Sequence, residues 1–167
     1  LVDVVALATD AGARLTGRAR YLPWAELTAA IAPHLGHPDG AVRALALREL
    51  LAVPGVYPDD GGLPALALAL VVARAFEQDP VRQAMFETLA RWPRRVWRAE
   101  HLPAVAQAVR AMLDAADCSG ATAAAAERVV VRLIAVDATW AGAWLGTLIK
   151  ERGVLHDPRL GAKLGDA

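Results

Sequence analysis

The stretch from Leu102 to Asp117, LPAVAQAVRAMLDAAD, predicts one long amphipathic helix and the start of a second helix. Its apolar residues recur at intervals of three and four, which places them along one face of a helix. Those residues are Leu102, Val105, Ala106, Val109, Met112, Leu113 and Ala116. Pro103 suits a first helical turn, where its missing N–H would have had no partner, and Asp117 is a preferred residue type for capping a helix N-terminus.

The Leu-Pro pair and the aspartate both recur along the chain with a period near forty residues. Leu-Pro pairs also open apolar runs at 22–23 and 63–64, so the three prolines stand 41 and 39 residues apart. Four aspartates recur with the same period, 40, 38 and 40 residues apart. They are Asp39, Asp79, Asp117 and Asp157. A fixed period of this length is typical of a repeat architecture. Each unit is therefore predicted to contain two helices.

The periodicity predicts helices near 1–16, 22–35, 39–52, 63–77, 79–92, 101–116, 119–136, 139–152 and 157–164. The valines at 129–131 could also indicate a strand, but the alanine-rich lead-in at 121–126 favours a helix. We interpret 1–167 as a single domain of repeat units. The units are predicted near 1–17 (partial), 22–56, 63–98, 101–137 and 139–167 (partial). Because neither end has a polar capping unit, we expect the chain to be a fragment of a longer repeat protein.

A short motif opens the second helix of the predicted units. Residues 39–43 read DGAVR and are followed by the small Ala46, residues 79–82 read DPVR, and residues 157–160, DPRL, fit in part. Asp117 lacks the Val-Arg pair. This pattern resembles the HEAT repeat family. The resemblance implies an all-α fold, a right-handed α-α superhelix of stacked antiparallel helix pairs that scaffolds proteins or, less often, nucleic acid. A related armadillo-like or irregular α-α superhelix is the alternative.

Charge and cysteine content narrow the class of protein further. Lys+Arg and Asp+Glu both number 18, so the whole chain has no electrostatic pull toward nucleic acid or acidic membranes. The longest uncharged run, 61–73, is shorter than the roughly 20 residues that span a bilayer. The single cysteine, Cys118, excludes an intrachain disulfide and is compatible with a reducing cytosol. We therefore expect a cytoplasmic protein with no membrane partner.

Few residues are candidates for metal binding or catalysis. His34 and His37, with Asp39 nearby, could offer ligands to zinc, but a third nitrogen or sulfur ligand is not evident. The favoured interpretation is a helix C-terminus whose histidines meet the last carbonyl groups. His101 and His156 stand next to helix starts and are interpreted as surface loop residues. Because no nucleophile stands beside a base, we predict no enzyme, no catalytic residue, no cofactor and no metal site.

Residues 91–98, RWPRRVWR, form one local charge anomaly, with four arginines and two tryptophans in eight positions. One interpretation is a contact to phosphate or nucleic acid, with the tryptophans available for base stacking. The other is a turn between repeats in which Trp92 and Trp97 fill gaps in the core while the arginines are solvated or pair with acids such as Glu100. Zero net charge favours the second interpretation.

Charged residues also recur on the predicted second helices. The acids Glu49, Glu87 and Glu127 accompany the arginines there, which predicts a mixed-charge surface with a ladder of pairs between repeats. Trp140 and Trp144, four residues apart, are interpreted as core filling, with a ligand groove as the alternative. The candidate interaction surface comprises Arg43, Arg82, Trp92, Arg94, Arg95, Trp97, Arg98, Arg128 and Arg132.

These patterns together favour an interaction module. We predict a non-enzymatic scaffold or adaptor segment of a larger bacterial protein, whose partner is another protein or a neighbouring domain of the same chain. The alternative is a nucleic-acid-binding or DNA-repair protein that resembles the bacterial DNA glycosylases built from HEAT-like repeats, although no acid and tryptophan set matches theirs residue by residue. A third possibility is a spacer between other domains.

Overall fold

The computed structural model describes residues 19–158 and residue 160, and these residues form seven α-helices and no strand. The helices are α1 (Trp24–Leu35), α2 (Gly40–Val56), α3 (Gly62–Ala73), α4 (Asp79–Leu89), α5 (Leu102–Asp114), α6 (Gly120–Arg132) and α7 (Ala138–Arg152). Short 3-10 turns occupy Ala19–Tyr21, Arg94–Val96, Ala99–His101 and Leu133–Ala135. The predicted all-α class is confirmed. The helix predicted at 1–16 lies outside the described residues, and the one at 157–164 lies mostly outside them.

The helix starts follow the capping chemistry only in part. As predicted, the Asp39 carboxylate caps α2 by accepting a hydrogen bond of 2.8 Å from the N–H of Ala41. The prediction for Asp117 was wrong, because Ser119 caps α6 instead and accepts from the N–H of Thr122. Asp79 is the first residue of α4 and makes no cap there. Both aspartates bond to a neighbouring turn, as described below.

Helix α2 runs further than the sequence indicated. It continues through Pro54 to Val56, four residues beyond the predicted end at 52. Pro54 has no N–H to donate, but it is buried together with Val53, and the C=O of Val53 accepts from the N–H of Tyr57 at 3.0 Å. Core contact therefore outweighs the loss of one helical hydrogen bond. The predicted helices at 63–77 and 79–92 instead end early, at Ala73 and Leu89.

The helices pack in two rows. In one row α4 lies between α2 and α6, and in the other α5 lies between α3 and α7. Helix α1 packs on α2, and α7 also contacts α6. The largest apolar cluster of the core extends from Ala44 in α2 to Leu148 in α7. A second, smaller apolar cluster joins α1, α2 and α3, and it consists of Leu27, Ile31, Ala46, Leu50, Val53 and Leu63.

Alanine and valine determine how closely α6 packs. Ala123, Ala124, Ala125 and Ala126 are all buried, as are Val129 and Val130. Small side chains on nearly every side allow neighbouring helices to approach closely, and the prediction of a helix over the valine run is confirmed. No helix within the described ranges is both long enough and apolar enough to cross a membrane.

Candidate interaction surface

The two tryptophans of the segment 91–98 lie in the core. Trp92 and Trp97 are 1% and 2% exposed, and their ring centroids are 4.8 Å apart. The indole N–H of Trp92 donates a hydrogen bond of 2.7 Å to the C=O of Leu51 in α2. These contacts agree with the interpretation that the rings fill gaps between helices. Their burial removes both tryptophans from the predicted exposed surface and leaves neither ring free to stack on a base.

The arginines of the same segment lie at the surface. Arg91, Arg94, Arg95 and Arg98, called here the arginine cluster, are exposed and form no ion pair with any residue that the structure describes. The guanidinium of Arg98 donates instead to the carbonyl groups of Arg95 and Trp97. The expected pairing with Glu100 is absent within the described residues. The segment is therefore anchored by its tryptophans and presents four positive charges to solvent.

His101 contacts the backbone of the segment 91–98 through its buried side chain. The interpretation of His101 as a surface loop residue was wrong, because its side chain is buried and its Nδ1 accepts from the N–H of Arg98 at 3.1 Å. Burial lowers the pKa of His101 below its ordinary value, and the positive charge of Arg98 acts in the same direction, while Glu100 opposes them. The residue is therefore built into the fold in its neutral form.

Other arginines of the predicted surface are paired across successive helices of one row. Arg43 in α2 bonds to Glu77 before α4 at 2.9 Å, and Arg82 in α4 bonds to Asp117 before α6 at 2.5 Å. Arg128 in α6 lies 3.9 Å from Asp157. The predicted ladder of pairs is thus present, but with acids from the turns. Arg82 is only 3% exposed, so it also leaves the predicted exposed surface.

The acids expected to complete that ladder have other partners. Glu49 bonds to Arg20 at 3.0 Å, and Glu87 lies 3.7 Å from Arg48. The buried Glu127 accepts from the backbone N–H groups of residues 156 and 157. Arg132 is exposed and has no ion pair within the described ranges. Of the predicted surface, Arg94, Arg95, Arg98 and Arg132 therefore remain exposed, and Arg43 and Arg128 are partly buried.

The turns before α4 and α6 are joined directly. Asp117 accepts from the N–H of Asp79 at 3.1 Å, and Asp79 accepts in return from the N–H of Ser119 at 3.0 Å. Burial acts to raise the pKa of Asp79, but the hydrogen bonds from Ser119 and Thr122 and the charge of Arg82 together lower it below its ordinary value. The hydrogen bond from Arg82 likewise lowers the pKa of Asp117. Both carboxylates are thus held ionised.

Two of the three residues weighed as metal ligands, His37 and Asp39, have structural partners. Nδ1 of His37 accepts from the N–H of Asp39 at 3.0 Å, so this histidine shapes the turn before α2. Among residues 19–158 and 160, no group of three or more His, Cys, Asp or Glu side chains is arranged to hold a metal ion. Cys118 is partly buried, and burial raises the pKa of its thiol.

Sequence reasoning missed Arg48 and Arg20, which lie beside the arginine cluster along one cavity wall. Neither belongs to the motif 91–98. Arg48 comes near it through the packing of α2 on α4, and Arg20 through the packing of the turn Ala19–Tyr21 on α2. Comparison with known proteins found no matching protein-family model, no matching curated protein and no matching solved structure.

Proposed function

We propose that this chain is a segment of a HEAT-like α-solenoid that acts as a non-enzymatic scaffold and binds an acidic surface of another protein through the arginine cluster. The observation that carries the proposal is the set of four exposed arginines without acidic partners among the described residues, on a segment fixed by two buried tryptophans. Elsewhere in α2 and α4, Arg43 and Arg82 pair closely with acids of the same chain, and Arg48 has a longer contact of 3.7 Å to Glu87.

Repetition of the same contacts supports the solenoid arrangement. Each of Arg43, Arg82 and Arg128 reaches an acid 34, 35 or 29 residues later in the chain. Glycine at the start of a helix gives a second recurring feature. A Cβ added at Gly40 would approach Oε1 of Gln78 to 2.8 Å, and one added at Gly120 would approach Cδ2 of His156 to 2.8 Å. Repeated joints of this kind are expected where similar units stack on one another.

Rigidity of the arginine-bearing segment supports binding. An interface loses free energy when flexible loops must be ordered, and the anchoring of Trp92 and Trp97 removes part of that cost. Arginine is enriched at protein interfaces, because its planar guanidinium bonds to carboxylates in a bidentate manner. An acidic partner surface would supply the carboxylates that the described part of this chain does not.

The test is a charge reversal of Arg94→Glu with Arg95→Glu, matched by Arg132→Glu as an equally exposed control. Tagged wild-type protein and both variants are incubated with nuclease-treated lysate from the native host, and the bound proteins are quantified by mass spectrometry. We expect one or more acidic proteins to be lost from the double variant and retained by the control. Equal capture by all three proteins would contradict the proposed surface.

Nucleic acid is the second candidate, because an exposed arginine cluster also suits phosphates. The burial of both tryptophans weighs against it, since single strands are commonly held by stacking of bases on aromatic rings. Fluorescence anisotropy with duplex and single-stranded DNA at low salt separates the two functions. The scaffold proposal predicts no salt-sensitive DNA binding that depends on Arg94 and Arg95.

A further inference from the structure

A cavity of about 280 Å³ lies beside the arginine cluster, between the C-terminal halves of α2 and α4. Its wall carries three guanidinium groups, from Arg20, Arg48 and Arg91, and one carboxylate, from Glu49. Ala52, Gly55, Val56, Thr88, Trp92 and Pro93 complete the lining. A concave site with an apolar wall and a few convergent polar groups is typical of small-molecule binding, and this volume is near the lower end of the usual range.

The charges in the cavity are not balanced. Arg20 is paired with Glu49 at 3.0 Å, whereas Arg48 has only the longer contact of 3.7 Å to Glu87, which lies outside the lining. Arg91 has no ion pair within the described residues. Two of the three guanidinium groups are thus available to a ligand. A phosphate monoester, which carries between one and two negative charges at neutral pH, complements them better than a single carboxylate does.

Glu49 supplies a second and independent feature. It is 3% exposed, and its Oε2 is buried without a hydrogen-bond partner among the described residues, although Oε1 is bonded to Arg20. The Nε of Arg20 is buried without a partner as well. Buried polar atoms are normally satisfied, and Glu49 is one of the residues that line the cavity, so its unpaired oxygen favours a ligand that brings a hydrogen-bond donor. A ligand hydroxyl would donate to it.

We propose that this cavity binds a small hydroxylated phosphomonoester. The phosphate lies between Arg48 and Arg91, and a hydroxyl of the organic part donates to Oε2 of Glu49. The side chains of Val56, Trp92 and Pro93 contact the carbon skeleton. This inference goes beyond the proposed scaffold function and does not depend on it. Arg91 belongs to both sites, but the protein contact is tested at Arg94 and Arg95 and the ligand contact at Arg48 and Arg91.

Isothermal titration calorimetry with ribose 5-phosphate, inorganic phosphate and unphosphorylated ribose tests the assignment. We expect ribose 5-phosphate to bind more tightly than inorganic phosphate, and ribose to give no signal up to about 10 mM. Arg91→Gln and Arg48→Gln should each weaken ribose 5-phosphate by about ten-fold or more, as expected for loss of a charge-assisted hydrogen bond. Arg132→Gln, outside both the cavity and the arginine cluster, should leave the affinity unchanged.

Glu49→Gln separates the two halves of the proposed ligand. It should weaken ribose 5-phosphate while leaving the affinity for inorganic phosphate unchanged or higher, because inorganic phosphate has no sugar hydroxyl to donate. Because Glu49 is buried, a circular dichroism melt first checks that this variant folds, and the exposed Arg91→Gln remains decisive if it does not. No heat with any phosphate probe would overturn the proposal, as would equal weakening by Arg132→Gln. Tighter binding of a phosphoserine peptide or a 5′-phosphorylated oligonucleotide through the same arginines would overturn the small-molecule assignment.

Discussion

The charged side chains at the two ends of helix α4 differ in whether they have partners among the described residues. At its N-terminus, Asp79, Arg82 and Asp117 satisfy one another across the turn to α6. At its C-terminus, Arg91 and the three arginines after it have no acidic partner within the described residues. The first end joins two neighbouring turns, while the second leaves its charges without ion pairs among the described residues. One helix therefore separates a structural joint from a candidate binding surface.

Replacement of Trp92 should have the largest effect on stability. The Trp92 ring belongs to the segment 91–98 and is buried against α2. Trp92→Ala therefore leaves a large cavity and an unpaired Leu51 carbonyl. We expect a loss of about 3 to 5 kcal/mol in the free energy of unfolding, measured by urea denaturation. Trp92→Phe, which keeps much of the volume and removes only the N–H, should lose clearly less. If Trp92→Ala were as stable as wild type, the anchoring of the arginine cluster would have to be abandoned.

The joint at the other end of α4 should be weakened by Arg82→Met. This substitution keeps the buried length of the side chain but removes its bonds to Asp117 and to the carbonyl of Glu77. We expect a loss of about 1.5 to 3 kcal/mol, the usual range for hydrogen bonds to charged groups. Urea denaturation measures it. Arg132→Met, at an exposed arginine with no ion pair in the described ranges, is the control and should change stability little. Equal stability of the two variants would mean that the Arg82 joint contributes no net stability.

The contrast between the two ends also sets how much the sequence could predict. The forty-residue period, the helical class and the cap at Asp39 depend on local chemistry, so they could be predicted. Asp79 and Asp117 resemble caps equally well, yet they bond to each other's turns, because an aspartate before a helix can accept from any nearby N–H. Which N–H is nearby depends on how units pack. The spacing of residues along the sequence does not specify how the units pack.

The same limit applies to the charged residues. Arg82 carries the same motif as Arg43 and is predicted at the exposed surface, but its side chain is buried and bonds to the exposed Asp117 of the next turn. Zero net charge correctly favoured tryptophans in the core. It could not indicate that the arginines beside them lack acidic partners in the part of the chain that the structure describes, because that depends on where residues distant in sequence are placed. The cavity near Glu49 was missed for the same reason.

Acid should weaken the two ends of α4 in different pH ranges. The folded-state pKa of His101 is lowered from 6.5, so the unfolded chain binds the proton first and stability falls as the pH drops below about 6.5. The pKa of Asp79 is lowered from 3.8, so its contribution is present at neutral pH and is lost only as the pH falls below about 4. Each site can change stability by at most about 1.4 kcal/mol per pH unit.

Urea denaturation at a series of pH values checks both ranges. His101→Asn, whose side-chain oxygen can still accept from the N–H of Arg98, should flatten the decline between about pH 6.5 and 5 and leave the acidic decline intact. Asp79→Asn should do the reverse. A decline near pH 6 that is unchanged in His101→Asn would assign that titration to another group, and the neutral role of His101 would be wrong.

The smallest effect on stability should come from the arginine cluster itself. Arg94→Ala with Arg95→Ala removes exposed charges that have no acidic partner within the described residues, so the free energy of unfolding should change by no more than about 0.5 kcal/mol per site. Because like charges lie close together, the change should be stabilising at low salt and should vanish as salt screens the repulsion. Urea denaturation at two salt concentrations measures this difference. A marked destabilisation would mean that these arginines support the fold, and the distinction between the two ends of α4 would no longer hold.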